Sequence, residues 1–204
     1  MPAPPLSILI LAAGAARRMR GQDKLLEPVA GQPLLRHIAG IAAQTGCPVL
    51  VTLPPDRPAR LAALTDLDLQ TRIVPDAATG MAASLRAGLS ALPPDHAVLV
   101  LLADLPEITL EDLARMIAAQ TRHPDHILRA TATDGTPGHP VLFPPWARPD
   151  LAQLQGDEGA RAVLTRHKAR VLPVPLPGHH ATTDLDTPEA WATWRARQTR
   201  PSSP

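Results

Sequence analysis

Leu9 to Lys24 read LILAAGAARRMRGQDK, and this stretch decides the fold. The apolar run Leu6–Ala12 has the length and the β-branched content of a buried strand, and it ends in a turn of alanine and glycine. Because such small side chains do not intrude, the backbone N–H groups of the turn can close around an anionic group. The cations that can neutralise it are Arg17, Arg18, Arg20 and Lys24. The stretch therefore predicts a buried strand followed by a polyphosphate loop.

The loop differs from the two commonest phosphate-binding motifs. It contains no G-x-x-x-x-G-K-[ST] sequence, and no G-x-G-x-x-G opens a helix here. A run of charged residues also commonly marks a solvated surface, and this alternative stays open for the arginines. The strand and the turn indicate an anion site without specifying its ligand.

Length, charge and cysteine content bound the class of protein. A chain of 204 residues suits one domain with a substantial core, expected over 1–197 with a flexible, polar tail over 198–204. A formal net charge of +1 argues against nucleic acid as a partner. The lone Cys47 excludes an internal disulfide and fits a reducing compartment. With no leader-like N-terminus and no apolar run of membrane length, a cytoplasmic protein without membrane contact is expected.

Strand and helix patterns alternate along the chain. The apolar runs predict strands at Leu6–Ala12, Pro48–Leu53, Thr71–Val74 and Ala97–Leu102. Helical spacing predicts helices at Pro33–Thr45, Pro58–Leu64, Met81–Leu92, Thr109–Thr121 and Pro188–Arg197. This order predicts an α/β class: a single-domain, Rossmann-like, three-layer α/β/α fold with a mostly parallel sheet. Shorter segments after Ile127 predict an antiparallel excursion.

Asp104 follows the continuous apolar strand Ala97–Leu102. Ligands of open α/β sheets lie beyond the carboxyl ends of the strands, where the cationic loop also falls. A carboxylate there, fixed by Pro106, suits Mg²⁺, which prefers oxygen ligands and triphosphates. A turn aspartate is the structural alternative. The combination with the first loop favours the metal interpretation.

Six blocks of sequence, in order from residue 9 to residue 189, resemble the molybdenum cofactor cytidylyltransferases, which are MobA-like NTP transferases. The blocks are L-A-A-G-x-x-x-R-M with Lys24, Gly80–Leu85, Ala103–Pro106, Gly138–Phe143, Gly156–Arg161 and Asp184–Glu189. The resemblance implies a nucleotidyltransferase fold and Mg²⁺-dependent transfer of CMP from CTP to the terminal phosphate of molybdopterin, with release of pyrophosphate. Because a phosphate nucleophile is already ionised, the chemistry needs positioning and charge neutralisation, not a general base.

The resemblance also implies roles for individual residues. Arg18 and Lys24 would bind the triphosphate and, with Asp104, act in catalysis. Asp104 and Asp186 would hold the metal. Asp184, two residues from Asp186 and so on the same side of a strand, could assist, although on its own it is closer to a structural residue. The nucleotide would contact Ala12, Ala13, Gly14, Gly80 and Ser84. The pterin substrate would contact His139, and Arg161 would contact either a phosphate or the pterin. The L-A-A-G form goes with CTP, whereas relatives that use GTP tend to carry glycine at the position of Ala13.

Structural alternatives stay open for two of these blocks. Thr187 and Pro188 are also a good helix start, so that Asp186 would only precede a helix. The small residues from Gly80 to Ser84 can present helix N-terminal amides to a ligand, or can simply pack a helix on the sheet.

The chain departs from the family pattern at three positions. Ala16 stands where serine or threonine is common, Arg20 where glycine is common, and Ala103 where glycine is usual. Gly21 is available to form the tight turn in place of Arg20. The departures remove a hydroxyl donor and add a cation, but Arg18 and Lys24 remain.

Two rival functions remain at this stage. One is a nucleotidyltransferase that uses GTP in place of CTP, or that uses a different phosphorylated acceptor, such as a sugar phosphate or an alcohol phosphate. The Gly138–Phe143 block, GHPVLF, argues against the different acceptor. The other is a non-catalytic maturation factor for molybdoenzymes, which would not need two metal carboxylates. The implied partners are CTP or another NTP and molybdopterin or the molybdenum cofactor, while a molybdoenzyme or its chaperone stays open as a further partner.

Overall fold

The predicted first strand is present as an inner strand of a seven-stranded sheet. The computed structural model describes residues 5–14, 19–157 and 159–198. The strands of this sheet are β1 Leu6–Leu11, β4 Val49–Leu53, β5 Gln70–Ile73, β6 Ala97–Leu102, β7 Ile127–Thr131, β8 Pro137–Phe143 and β9 Val171–Pro175. A separate hairpin consists of β2 Pro28–Val29 and β3 Gln32–Pro33. The helices are α1 Leu34–Ala43, α2 Pro58–Ala62, α3 Met81–Ala91, α4 Leu110–Arg122, α5 Arg148–Ala152, α6 Arg161–Arg166 and α7 Pro188–Gln198.

Only β8 runs against its neighbours in the sheet, whose order is β5-β4-β1-β6-β8-β7-β9. It pairs antiparallel with β6 and β7, whereas β1 pairs parallel with β4 and β6, and β9 parallel with β7. The predicted mostly parallel sheet with an antiparallel excursion is confirmed. Because β8 is reversed, its first residues lie at the edge where β6 and β7 end.

The two faces of β1 explain the three layers. Ile8 and Ile10 pack with residues of α1 and α4 on one face, and Leu9 packs with residues of α3 on the other. All three side chains are fully buried. A strand buried on both faces must carry apolar residues without alternation, as this one does. The predicted three-layer α/β/α fold is confirmed.

The remaining sequence predictions differ from the structure mainly at element ends. The helix predicted over Pro33–Thr45 is shorter, because Pro33 precedes α1 and a turn with Gly46 at φ +73° follows it. The predicted capping box of α4 is present: Thr109 Oγ1 accepts from the Asp112 amide, and the Asp112 carboxylate accepts from the Thr109 amide.

The short hairpin β2–β3 was not predicted from the sequence. Ala30 and Gly31 connect its strands with φ angles of +49° and +79°. Two consecutive positive φ values are typical of the tight hairpin turns that match strand twist. An alanine-glycine pair is a weak signal for such a turn.

The predicted flexible tail over 198–204 is described by the structure only at its first residue. Gln198 lies in α7, so the helix extends one residue into the predicted tail, and residues 199–204 lie outside the described residues. In the three described ranges, no helix is long and apolar enough to cross a membrane.

Candidate nucleotide and metal site

A cleft of about 440 Å³ opens at the carboxyl ends of β1 and β6. These strands pair in register up to Leu11 and Leu102, and the Ala103 amide donates to the Leu11 carbonyl at 3.4 Å. The residues after each strand therefore emerge side by side. The predicted site residues that line the cleft are Ala12, Ala13, Gly14, Lys24, Gly80, Ser84, Asp104 and Asp186.

Lys24 joins the two predicted metal carboxylates. Its Nζ donates to Asp104 Oδ2 and to Asp186 Oδ1, each at 2.5 Å. Lys24 and Asp104 are largely buried, with 15% and 17% of their side chains exposed. Burial alone lowers the pKa of Lys24, but the charges of Asp104 and Asp186 and their hydrogen bonds outweigh it, so this pKa is raised. Lys24 is thus a fixed cation at neutral pH.

Asp184 adds a third carboxylate to this region. Burial raises its pKa, and the neighbouring charges of Asp104 and Asp186 raise it further. The same segment is anchored beyond the cleft, since Thr183 Oγ1 donates to Glu107 at 2.8 Å. Trp194 Nε1 of α7 donates to the same carboxylate at 3.0 Å. These contacts fix the chain that carries Asp184 and Asp186.

The Asp186 block also starts a helix, as the structural alternative predicted. Thr187 Oγ1 accepts from the Ala190 amide at 3.2 Å, and α7 begins at Pro188. Capping uses the threonine and leaves the Asp186 carboxylate facing Lys24. Both interpretations of this block are therefore compatible in one structure.

The carboxylates fit a metal that also contacts substrate oxygens. Asp104 Oδ1 is buried and has no hydrogen-bond partner among the described residues. A buried, unsatisfied carboxylate oxygen is costly unless a ligand uses it. Within the described ranges, no group of three His, Cys, Asp or Glu side chains could hold a metal ion by itself. Mg²⁺ is typically held by one or two carboxylates together with substrate phosphates, which suits Asp104 and Asp186.

The block after Gly80 shapes the cleft by close backbone packing. Gly80 has φ +125°, and a Cβ there would lie 2.4 Å from the Gly156 carbonyl. The Ala82 amide donates to that same carbonyl at 3.1 Å. The expectation that the first amides of this helix face a ligand is therefore wrong for Ala82. Gly80 and Ser84 still line the cleft, while Ala82 and Leu85 pack on the sheet.

His139 and Arg161 do not line this cleft but lie beside it. The His139 amide donates to the Ala181 carbonyl at 2.9 Å, and a Cβ on Gly138 would lie 1.9 Å from that oxygen. His139 Nδ1 is buried without a hydrogen-bond partner among the described residues. Gly138 thus permits the close approach that places His139 at the edge of the sheet.

Arg129, in the middle of β7, was missed by the sequence analysis. Its Nε donates to the Gly138 carbonyl at 3.3 Å, next to His139. Burial lowers the pKa of Arg129, and the nearby charge of Arg161 lowers it further. Arg129, His139 and Arg161 therefore form a second polar group of side chains, from β7, β8 and the start of α6.

His139 makes the stability of the protein depend on pH. Burial lowers its pKa from 6.5 to about 4, and the Arg129 charge acts in the same direction. Because the unfolded chain takes up the proton first, the free energy of unfolding should fall by roughly 3 kcal/mol as pH drops from 6.5 to 4. Denaturant unfolding of the wild type and His139→Gln over this range tests it. Identical pH slopes in the two proteins would contradict the prediction.

The arginines of the first loop have different outcomes. Arg17 and Arg18 lie outside the described residues. Arg20 pairs at 2.6 Å with Glu189, and both side chains are exposed. Its φ of +51° and that of Gly21, +92°, are both left-handed, so Gly21 does not replace Arg20 in the turn but joins it. Arg20 therefore contacts the Asp184–Glu189 block and not the cleft lining.

Comparisons with known proteins place this geometry in a family. The chain matches the MobA-like NTP transferase domain over residues 8–171. Molybdenum cofactor guanylyltransferase from Bradyrhizobium sp. (strain ORS 278) is 33% identical over 199 residues, covering 89% of this chain and 90% of that protein. Nicotine blue oxidoreductase from Paenarthrobacter nicotinovorans is 27% identical over 194 residues, covering 91% and 94%.

A solved structure shows the same architecture. The crystal structure of Rv0371c from Mycobacterium tuberculosis H37Rv is similar with a TM-score of 0.81 at 27% identity, over 94% of this chain and 98% of that one. The structure of the Rv0371c complex with manganese gives a TM-score of 0.74 at 25% identity, over 94% and 97%. The neighbour that carries manganese is thus similar over nearly its whole length.

The fold and the cleft are those of a nucleotidyltransferase: a mostly parallel sheet whose carboxyl edge presents a small-residue loop, a lysine and paired aspartates. The chain belongs to the MobA-like NTP transferase family. Because one similar protein is named an oxidoreductase, the particular substrates have to be argued from the residues of the site.

Proposed function

We propose that this protein transfers CMP from CTP to the terminal phosphate of molybdopterin or the molybdenum cofactor and releases pyrophosphate. The observation that carries the proposal is the group of Lys24, Asp104 and Asp186 at a cleft lined by the first loop. A non-catalytic binder would not need two carboxylates arranged around one lysine. The alternative is GTP as the nucleotide, favoured by the similar protein named guanylyltransferase.

The proposed roles follow from charge and position. Lys24 and Arg18 bind the β- and γ-phosphates, and the small side chains of Ala12, Ala13 and Gly14 let the backbone approach the nucleotide. Asp104 and Asp186 hold Mg²⁺. When bound, this ion supplies positive charge to the triphosphate oxygens.

The transfer itself balances without a general base. An ionised oxygen of the acceptor phosphate forms a bond to the α-phosphorus of CTP, while the bond to the pyrophosphate oxygen breaks. The negative charge that leaves on pyrophosphate stays beside Lys24. The chain's contribution is to align the two substrates and to neutralise charge.

The acceptor is proposed to lie on the side of Arg129, His139 and Arg161. His139 is neutral near pH 7 because burial lowers its pKa to about 4, so the ring nitrogen that has no partner can hydrogen-bond to a pterin. Two guanidinium groups nearby suit an anionic acceptor. That a molybdoenzyme or its chaperone binds this protein as a further partner stays a prediction. Its cytoplasmic location also stays a prediction.

One assay tests the proposed function directly. The purified protein is incubated with Mg²⁺, molybdopterin or molybdenum cofactor, and each of the four NTPs in turn. We expect pyrophosphate and a molybdopterin cytosine dinucleotide with CTP. If product forms with GTP alone, GTP replaces CTP as the proposed nucleotide. If no product forms with any NTP, the proposed transferase function of this site is contradicted.

Ala13 is the proposed determinant of base choice. It is buried and lines the cleft, so its methyl group is expected to crowd a purine while it admits cytosine. Ala13→Gly should narrow the preference for CTP over GTP by about tenfold, the effect of one methyl group in a pocket. The measurement is kcat/KM for both nucleotides in both proteins, with one acceptor. An unchanged ratio would move base selection to the Gly80–Ser84 block.

A further inference from the structure

Arg60 of α2 is a fully buried arginine whose partners belong to the nucleotide side of the cleft. Its Nε and Nη2 donate to the two oxygens of Asp23 at 2.7 and 2.9 Å. Its Nη1 donates to the carbonyls of Ala12 at 2.6 Å and Gly14 at 2.8 Å. The side chain itself is 0% exposed and does not line the cleft. One guanidinium therefore holds the first loop and the residue before Lys24 together.

The contact with Ala12 also sets the direction of a peptide group. In a planar trans peptide, the carbonyl of one residue and the N–H of the next point in opposite directions. Because the Ala12 carbonyl is turned towards Arg60, the Ala13 N–H is turned away from it. Ala13 itself lines the cleft, where backbone donors can bind an anion.

Asp23, which Arg60 holds in place, in turn fixes the backbone at Lys24. Its Oδ1 accepts from the Leu25 amide at 3.1 Å and so caps the short 3₁₀ turn Lys24–Leu26. That turn fixes the backbone from which Lys24 reaches Asp104 and Asp186. The bidentate contact of Arg60 with Asp23 thus links the orientation of the loop to the position of the lysine.

We propose that Arg60 is a positioning residue of the nucleotide site, which turns the Ala12–Ala13 peptide so that the Ala13 N–H faces the phosphates and fixes the Lys24 turn through Asp23. This inference rests on the proposed nucleotidyltransferase function. Arg60 does not touch the nucleotide, and it acts through the loop carbonyls and through Asp23.

The test compares Arg60→Lys with Arg148→Lys. A lysine at position 60 keeps the charge but cannot serve both Asp23 oxygens and both loop carbonyls at once. Arg148 is the matched control, because it also donates to backbone carbonyls, among them Leu89 at 2.7 Å and Leu92 at 3.0 Å. Those carbonyls belong to the end of α3, away from the cleft lining.

Binding of CTP, GTP and CMP with Mg²⁺ is measured by calorimetry, well below the unfolding temperature of each protein. We expect Arg60→Lys to weaken CTP binding about tenfold or more, because a misplaced contact group loses most of its effect. Arg148→Lys should lower the unfolding temperature and leave the CTP Kd unchanged. The amide resonance of Ala13 should shift in Arg60→Lys and stay in place in Arg148→Lys.

The outcomes separate this inference from the function on which it rests. Wild-type binding of CTP or GTP with an unchanged Kd in Arg60→Lys would overturn the role of Arg60 and leave the proposed function standing. Failure of the wild type to bind either nucleotide would overturn both. If Arg60→Lys does not fold, Asp23→Asn carries the test, and an unchanged nucleotide Kd in that variant overturns the inference.

Discussion

Asp104→Asn is expected to keep the fold and to reduce turnover by about three orders of magnitude. The amide retains the size of the side chain but removes the negative charge that would hold Mg²⁺, and metal stabilisation of a phosphoryl transition state is worth several kcal/mol. The loss should appear in kcat, since the charge develops during transfer. Pyrophosphate release in saturating Mg²⁺ and NTP measures it.

Asp150→Asn is the matched control for this change. Asp150 also has a cationic partner, Arg166 at 3.1 Å, and shares a hydrogen bond with His167 at 2.6 Å, but it lies outside the cleft lining. We expect it to lose a surface interaction and to retain wild-type turnover. Near-normal turnover in Asp104→Asn would contradict the metal assignment, whereas equal losses in both variants would indicate a general effect of charge.

The fold was predictable because its strands are buried on both faces. Short continuous apolar runs bounded by turn residues are typical of such strands, and β6 has the same ends, Ala97 and Leu102, in the sequence prediction and in the structure. The reversal of β8 was foreseen only as an antiparallel excursion. It pairs with its neighbour in the chain, β7, but also with β6, which lies far from it in the sequence, so local patterns do not reveal its place in the sheet.

The site was predictable only where residues follow strands or match family blocks. Lys24 and Asp104 are 80 residues apart in the sequence, and the parallel pairing of β1 with β6 brings their elements to one edge. Arg60 was missed because an arginine in a short helix normally indicates a solvated surface. Its partners lie 37 to 48 residues away, so nothing local signals its burial.

The residues of the proposed acceptor side were predictable only in part, for the same reason. His139 was predicted from the GHPVLF block, but Arg129 carries no motif and reaches this region only through the pairing of β7 with β8. For the helix that follows Gly80, the sequence left open whether its first amides face a ligand or whether the helix simply packs on the sheet. The structure instead uses the Ala82 amide to hold the Gly156 loop, a contact that local sequence does not reveal.

Lys24→Ala should weaken CTP binding by about tenfold to a hundredfold, the value of a charge-assisted contact to phosphate. The loss should be smaller for CMP, because Lys24 is assigned to the β- and γ-phosphates. The raised pKa of Lys24 keeps it charged throughout the neutral range, so the difference should not vary between pH 6 and pH 8. Calorimetry with both nucleotides measures the two Kd values.

Lys24→Ala is also expected to destabilise the folded protein. Without the ammonium that contacts Asp104 and Asp186 at 2.5 Å, two carboxylates repel each other in a half-buried cleft, and the unfolding temperature should fall. Lys168, the only other lysine of the sequence, is exposed in a turn, so Lys168→Ala is the control for removal of one positive charge. Lys168→Ala should bind CTP with the same Kd as the wild type. Equal losses for CTP and CMP in Lys24→Ala would place the lysine away from the terminal phosphates and would leave it with the carboxylates alone.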